Sequence, residues 1–159
     1  MFQTTSIQGD KTEQFTSALE QLKSLIADEP SAVANLANAS ALLKFTLPDT
    51  NWAGFYLFDG KELVLGPFQG LPACIRIPLD KGVCGAAASR RETVRVDDVH
   101  AFPGHIACDA ATNSEIVVPM IKDGNLYGVL DIDSPLKGRF DDEEQRFLEQ
   151  FVDILMKQL

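Results

Sequence analysis

Cys108 sits within a stretch without regular pattern, His100 to Ser114, which is punctuated by Phe102-Pro103-Gly104 and rich in small or polar residues from Ala107 onward. Asp109 follows it directly, and Glu115 opens the apolar run Ile116 to Ile121. A thiol on an irregular loop beside ionisable groups is a candidate nucleophile, because the thiolate is the attacking form. An ordinary loop cysteine fits the same residues, and this segment alone leaves both readings open. Cys74 and Cys84 bring the total to three thiols, an odd number. The N-terminus lacks a basic region followed by an apolar core, so no secretion signal is expected and the cytoplasm is the expected compartment. A disulfide framework is not expected there, which leaves buried inert thiols, a metal site or redox chemistry.

Asp131-Ile132-Asp133 places two carboxylates at the end of an otherwise apolar strand. Alternation points them to one side, roughly 6–7 Å apart along the chain. Enclosure would raise at least one of their pKa values; a strand end fraying into solvent would leave both ordinary. Whether Glu115 joins them depends on the Asp123-Gly124 turn. A strict two-residue turn pairs Glu115 with Ile132 and faces it away from both aspartates. A longer loop, or a bulge, pairs it with Asp133.

Other chemistries fit less well. Cys74, Cys84, Cys108, His100 and His105 could supply metal ligands, but no Cys-x-x-Cys or His-x-x-x-His pair is present. Lys81-Gly-Val-Cys-Gly85 lacks the spacing of a phosphate loop. A hydrolase could use Cys108 with His105 or His100 as base, yet neither histidine has an orienting group at fixed spacing.

The elements that must position these residues are legible from periodicity. Asp10 to Glu13 resembles a capping box, and Phe15, Leu19, Leu22 and Ile26 follow at helical spacing, so a helix is expected to about Ala27. Pro30 suits the first turn of a second helix, in which Val33, Leu36, Ser40 and Leu43 recur and which ends before Pro48. Trp52 to Phe58 reads as a strand, with Trp52, Gly54, Tyr56 and Phe58 on one face and Ala53, Phe55 and Leu57 on the other. Asp59-Gly60 signals a hairpin to a partner strand, Glu62 to Phe68. A short strand, Ile75 to Pro78, precedes a glycine turn at Lys81 and a short helix ending near Arg91. Thr93 to Val96 is another short strand, and Leu126 to Asp133 pairs with the strand from Glu115. Asp141 to Glu144 caps a last helix with a stripe of Phe147, Phe151, Ile154 and Leu155. This order describes an α+β domain whose central antiparallel sheet carries helices on one face and loops, hence a pocket, on the other.

At 159 residues the chain is expected to form one domain with a substantial core. A net charge of −9 argues against nucleic acid or an anionic membrane surface as partner. No run approaches the ~20 apolar residues of a membrane-spanning helix.

Taken together, several motifs carry a family resemblance: Asn51-Trp52-Ala-Gly-Phe-Tyr56, Gly66-Pro67-Phe68-Gln69-Gly70, Cys74, Gly82-Val-Cys84-Gly, His105-Ile-Ala-Cys108-Asp, Ser114-Glu115 and Asp131-Ile-Asp133-Ser. In these the chain resembles the free methionine-(R)-sulfoxide reductases, which are built on a single GAF domain, and the resemblance spans nearly the whole of residues 1–159. It implies that Cys108 is the catalytic cysteine and ends as a sulfenic acid. It implies that Glu115 and Asp133 polarise or protonate the sulfoxide oxygen, with Asp131 in the same acidic site. Trp52 would form an aromatic wall for the S-methyl group, joined by Tyr56. Cys74 or Cys84 would resolve the sulfenic acid as a disulfide, and thioredoxin would restore the thiols. A helix start lowers a thiol pKa, which speaks for Cys84; a loop position that can move speaks for Cys74, the slightly favoured choice. The resemblance implies free methionine sulfoxide as substrate and neither cofactor nor metal; homodimers are common among GAF domains. The competing expectation is a non-catalytic GAF module sensing a small molecule or redox state. Such sensors usually adjoin an output domain, whereas this chain reaches Leu159 after one closing helix.

Overall fold

The computed structural model describes residues 9–106 and 108–159. The described residues include four α-helices, α1 (Lys11–Ile26), α2 (Ala32–Thr46), α3 (Gly82–Arg90) and α4 (Asp142–Met156). Six strands accompany them: β1 (Trp52–Phe58), β2 (Leu63–Gly70), β3 (Arg76–Ile77), β4 (Val94–Val96), β5 (Ser114–Lys122) and β6 (Asn125–Ser134). The strands form one antiparallel sheet in the order β3-β2-β1-β6-β5-β4. The two hairpins are therefore fused through β1 and β6.

The alternation in β1 decides what each face holds. Ala53 and Phe55 pack with Ile116, Val118, Leu130 and Ile132 against α1, α2 and α4, including the stacked pair Phe15–Phe147. Trp52 and Tyr56 face the other way, into a second cluster with Val83, Cys84, Ala87, Val117 and Val129. This second face is not covered by loops alone, as the sequence suggests. The short helix α3 packs on it through its valine, cysteine and alanines, which are small enough to approach the sheet closely.

Local details differ from expectation in instructive ways. The Asp10 carboxylate accepts from Glu13 N at 2.9 Å, half of the expected capping box, while Asp141 and Glu144 form a complete one. Ser31 caps α2, so Pro30 lies just before the helix and not in its first turn, and Val33 faces solvent. Asp59-Gly60 is part of a four-residue connection: Phe58 pairs with Leu63, and Asp59 Oδ1 accepts from Lys61 N and Glu62 N.

The decisive detail lies in the second hairpin. Asp123 and Gly124 both have positive φ, as a two-residue type I′ turn requires, and Lys122 pairs with Asn125 across it. The register then slips by one between Met120 and Ile121, leaving Tyr127 as an extra residue on β6. From there Glu115 pairs with Asp133, not with Ile132. The turn is strict and the bulge corrects it.

Candidate active site

Register sets the polar residues in rows across three strands. Trp52 pairs with Asp133, and Asp133 with Glu115; one step along, Gly54 pairs with Asp131, and Asp131 with Val117. Directly opposed residues have Cβ atoms about 4.5–5.5 Å apart, so Glu115 and Asp133 lie side by side. Asp131 shares their face by alternation along β6. All three carboxyls line one cleft, of about 530 Å³ including its open mouth, together with Trp52, Tyr56, Cys84, His105 and Cys108.

The aromatic wall is built by β1. Trp52 stacks on Phe68 at 5.0 Å and on Tyr56 at 5.8 Å between ring centroids. Gly54 makes the stacking feasible, since a Cβ there would collide with Phe68 and with the Trp52 ring. The indole N–H donates to the Leu71 carbonyl at 3.2 Å, and the Tyr56 hydroxyl donates to the Cys74 carbonyl at 2.9 Å. These two bonds tie the segment after β2 to the sheet and hold Cys74 over the cleft.

The loop carrying Cys108 is pinned from several sides. It is more ordered than the sequence suggests, since Val99–Ala101 forms a 3-10 turn capped by Asp98. Gly82 N donates to the Gly104 carbonyl at 3.1 Å, and Asn51 Nδ2 donates to Asp109 Oδ2 at 2.9 Å and Thr112 Oγ1 at 3.0 Å. Cys108 is joined to Cys74 in a disulfide, with Cα atoms 5.6 Å apart, and Cys84 is left as a free buried thiol. The structure is thus the oxidised form of the pair.

Electrostatics within the cleft follow from burial of three acids together. Burial pushes the Glu115 carboxyl up to about 8, reinforced by the neighbouring Asp133 charge. Asp131 and Asp133 are raised well above the usual carboxylate range, first by burial and then by their acidic neighbours. The Cys84 thiol moves in the direction opposite to the helix-dipole expectation. Burial, then Asp131 and Glu115 beside it, raise its pKa well above the ordinary value. Its Sγ lies 3.9 Å from Glu115 Oε1. Removal from water outweighs the partial charge of a helix end.

Among the described residues that line the cleft, two buried acceptors have no hydrogen-bond partner, Asp131 Oδ1 and Asp133 Oδ1. Such a pair is set up to receive donors from a bound molecule. His105, weighed in the sequence as a metal ligand or a hydrolase base, places Nε2 3.9 Å from Glu115 Oε2. Burial, and to a lesser degree His100, lower its pKa and favour the neutral ring. His100 instead meets Asn113 Oδ1 at 3.1 Å. His105 and Thr112 line the cleft without a role in the sequence-derived site, although His105 opens the motif that contains Cys108.

The GAF domain description matches residues 11–159. The chain belongs to the GAF domain family. Protein YtsP of Bacillus subtilis is 54% identical over 162 residues, covering 100% of this chain and 99% of the relative. The free methionine-R-sulfoxide reductase of Escherichia coli is 53% identical over 150 residues, covering 94% and 91%. The X-ray structure of free methionine-R-sulfoxide reductase from Neisseria meningitidis in complex with its substrate superposes with a TM-score of 0.91 at 47% identity, covering 95% and 91%. The resemblance read from the motifs is borne out. In this GAF domain the cleft lies on the sheet face away from α1, α2 and α4, between β1, β5, β6 and α3. Among the described residues no helix is long and apolar enough to cross a membrane.

Proposed function

We propose that this GAF domain reduces free L-methionine-(R)-sulfoxide to L-methionine. The observation that carries the reading is the convergence, on one cleft, of a Cys108–Cys74 pair, three carboxyls side by side, and an aromatic wall. In the reduced form the Cys108 thiolate attacks the sulfoxide sulfur. Glu115, with Asp133 beside it, gives a proton to the sulfoxide oxygen as that oxygen takes on negative charge. Oxygen passes to Cys108 as a sulfenic acid and methionine leaves as the thioether. The Cys74 thiol then attacks the sulfenic sulfur, releasing water and closing the disulfide seen here. A cytoplasmic dithiol reductant of the thioredoxin class reopens it by thiol–disulfide exchange. The balance is one sulfoxide and two thiols to one thioether, one disulfide and one water.

Trp52 and Tyr56 supply apolar surface for the S-methyl end. The unpartnered oxygens of Asp131 and Asp133 suit the ammonium of a free amino acid. The names of the Escherichia coli and Neisseria meningitidis relatives support the same substrate.

The test is turnover of the separated R and S epimers of free methionine sulfoxide with dithiothreitol. Steady reduction of the R epimer alone is expected; no turnover of either would leave a binding module. A second expected result concerns the resolving thiol. Cys74→Ser should retain a first turnover, read as one methionine per protein, yet lose at least about tenfold in steady turnover with thioredoxin. Full recycling in that variant would transfer the resolving role to Cys84.

A further inference from the structure

Cys84, Glu115 and Asp131 arrive from α3, β5 and β6, and each offers a ligand atom within 4.8 Å of the other two. All three side chains are buried. The Cys84 Sγ to Glu115 Oε1 distance is 3.9 Å. Tetrahedral zinc, with Zn–S of about 2.3 Å and Zn–O of about 2.0 Å, sets such atoms about 3.5 Å apart. A shift of a few tenths of an ångström therefore brings this pair to ligand spacing. Independently of that spacing, Asp131 is only 5% exposed, lines the cleft, and leaves Oδ1 without any donor. A buried carboxyl oxygen in that condition is costly unless something positive or protic reaches it.

We propose that Cys84, Glu115 and Asp131 form a binding site for one zinc-like divalent cation, with His105 as the fourth ligand from the covering loop. His105 Nε2 already stands 3.9 Å from the other Glu115 oxygen. The donor set selects the metal. A thiolate and an imidazole favour zinc or cobalt, whereas magnesium and calcium take oxygen ligands. On binding, the thiol proton and the protons held by the two carboxyls pass to solvent, and no oxidation state changes. The sequence hides this site because its ligands stand 31 positions apart from Cys84 to Glu115 and come from separate elements. The inference goes beyond the reductase reading and rests on the cluster and on the unpartnered Asp131 oxygen. Its consequence for that reading is that cation and substrate compete for Glu115 and Asp131.

The disulfide makes the test clean, since Cys84 is the free thiol when Cys74 and Cys108 are joined. Oxidised protein is titrated with Co²⁺, and thiolate-to-cobalt charge-transfer absorption is followed in the near ultraviolet. One equivalent is expected to give the band, Zn²⁺ to abolish it, and excess Mg²⁺ to leave it unchanged. Cys84→Ser should remove the band. Asp131→Asn should weaken binding by at least about tenfold, the loss already typical of removing an outer-shell partner. Absence of the band in the unaltered protein, its survival in Cys84→Ser, or undiminished affinity in Asp131→Asn would each overturn the proposal. All three are binding readouts, so they stand or fall separately from sulfoxide turnover.

Discussion

Cys108→Ser is expected to lower turnover of free methionine-(R)-sulfoxide by at least about 10³-fold, measured with dithiothreitol so that recycling is not limiting. The size of the effect follows from the chemistry. A serine hydroxyl is a poor nucleophile towards sulfur and has no sulfenic state in which to accept the oxygen, so no partial reaction remains. Trp52, Glu115 and Asp133 stay in place in the variant, because none takes its position from Cys108. Binding of the sulfoxide should therefore survive, visible as quenching of the Trp52 fluorescence, while chemistry is lost. Turnover that persists in Cys108→Ser would end the proposed mechanism. The equivalent change at Cys84 should cost far less, because burial beside two acids holds that thiol in its unreactive protonated form.

Glu115→Gln is the second large effect, with an expected loss in kcat of about 10²–10⁴-fold, the usual worth of a positioned general acid. The amide keeps the shape and the register but has no proton to transfer to the sulfoxide oxygen. The pH dependence gives a sharper readout than the rate alone. With its pKa raised to about 8, Glu115 holds its proton through neutral pH and loses it above about 8. kcat/KM should therefore fall on the alkaline side in the unaltered protein, and that limb should vanish in Glu115→Gln. Stability carries the same signature. Between the ordinary value of 4.5 and about 8, the folded protein holds the Glu115 proton and the unfolded chain does not. The folded state binds more protons across that window, so stability is fullest below it and falls as pH rises through it. Thermal melts from pH 5 to pH 9, as about the useful range for this comparison, should show a shallower decline for Glu115→Gln. An unchanged pH profile in the variant would move the proton-donor role to Asp133.

Both predictions rest on arrangements that the sequence shows to different degrees. The alternation in β1 separates Trp52 and Tyr56 from Ala53 and Phe55, and the structure places each set on the expected face. Asp131 and Asp133 share a face for the same reason. The caps at Asp10 and Asp141 and the turn at Asp123-Gly124 were equally open to reading, because each depends on a few adjacent residues. The covering loop was legible as irregular, though not its 3-10 turn, whose cap is a single aspartate.

What the chain order could not decide was how strands meet and what lies in water. Side-chain alternation is a property of one strand, whereas register across strands depends on any single extra residue along the ladder. Tyr127 is that residue, and nothing in its type announces a bulge; without it Glu115 would face away from Asp133. The pairing of β1 with β6, which sets Trp52 against Asp133, joins segments some 80 positions apart (52 and 133) and has no local signal. The state of Cys84 departs from the helix-start expectation for a related reason. A helix start is visible in the sequence, but burial is conferred by the sheet and by Glu115 and Asp131, and it dominates. Cys108 itself was visible from the outset as a thiol on a loop beside carboxylates. Its neighbours were not: Cys74 reaches it across 34 positions because two hydrogen bonds from β1 hold the intervening segment over the cleft. Sequence alone determined the chemical groups and the faces of single elements. Tertiary structure decided which of those groups share one enclosed space, because enclosure and register are made by contacts between distant parts of the chain.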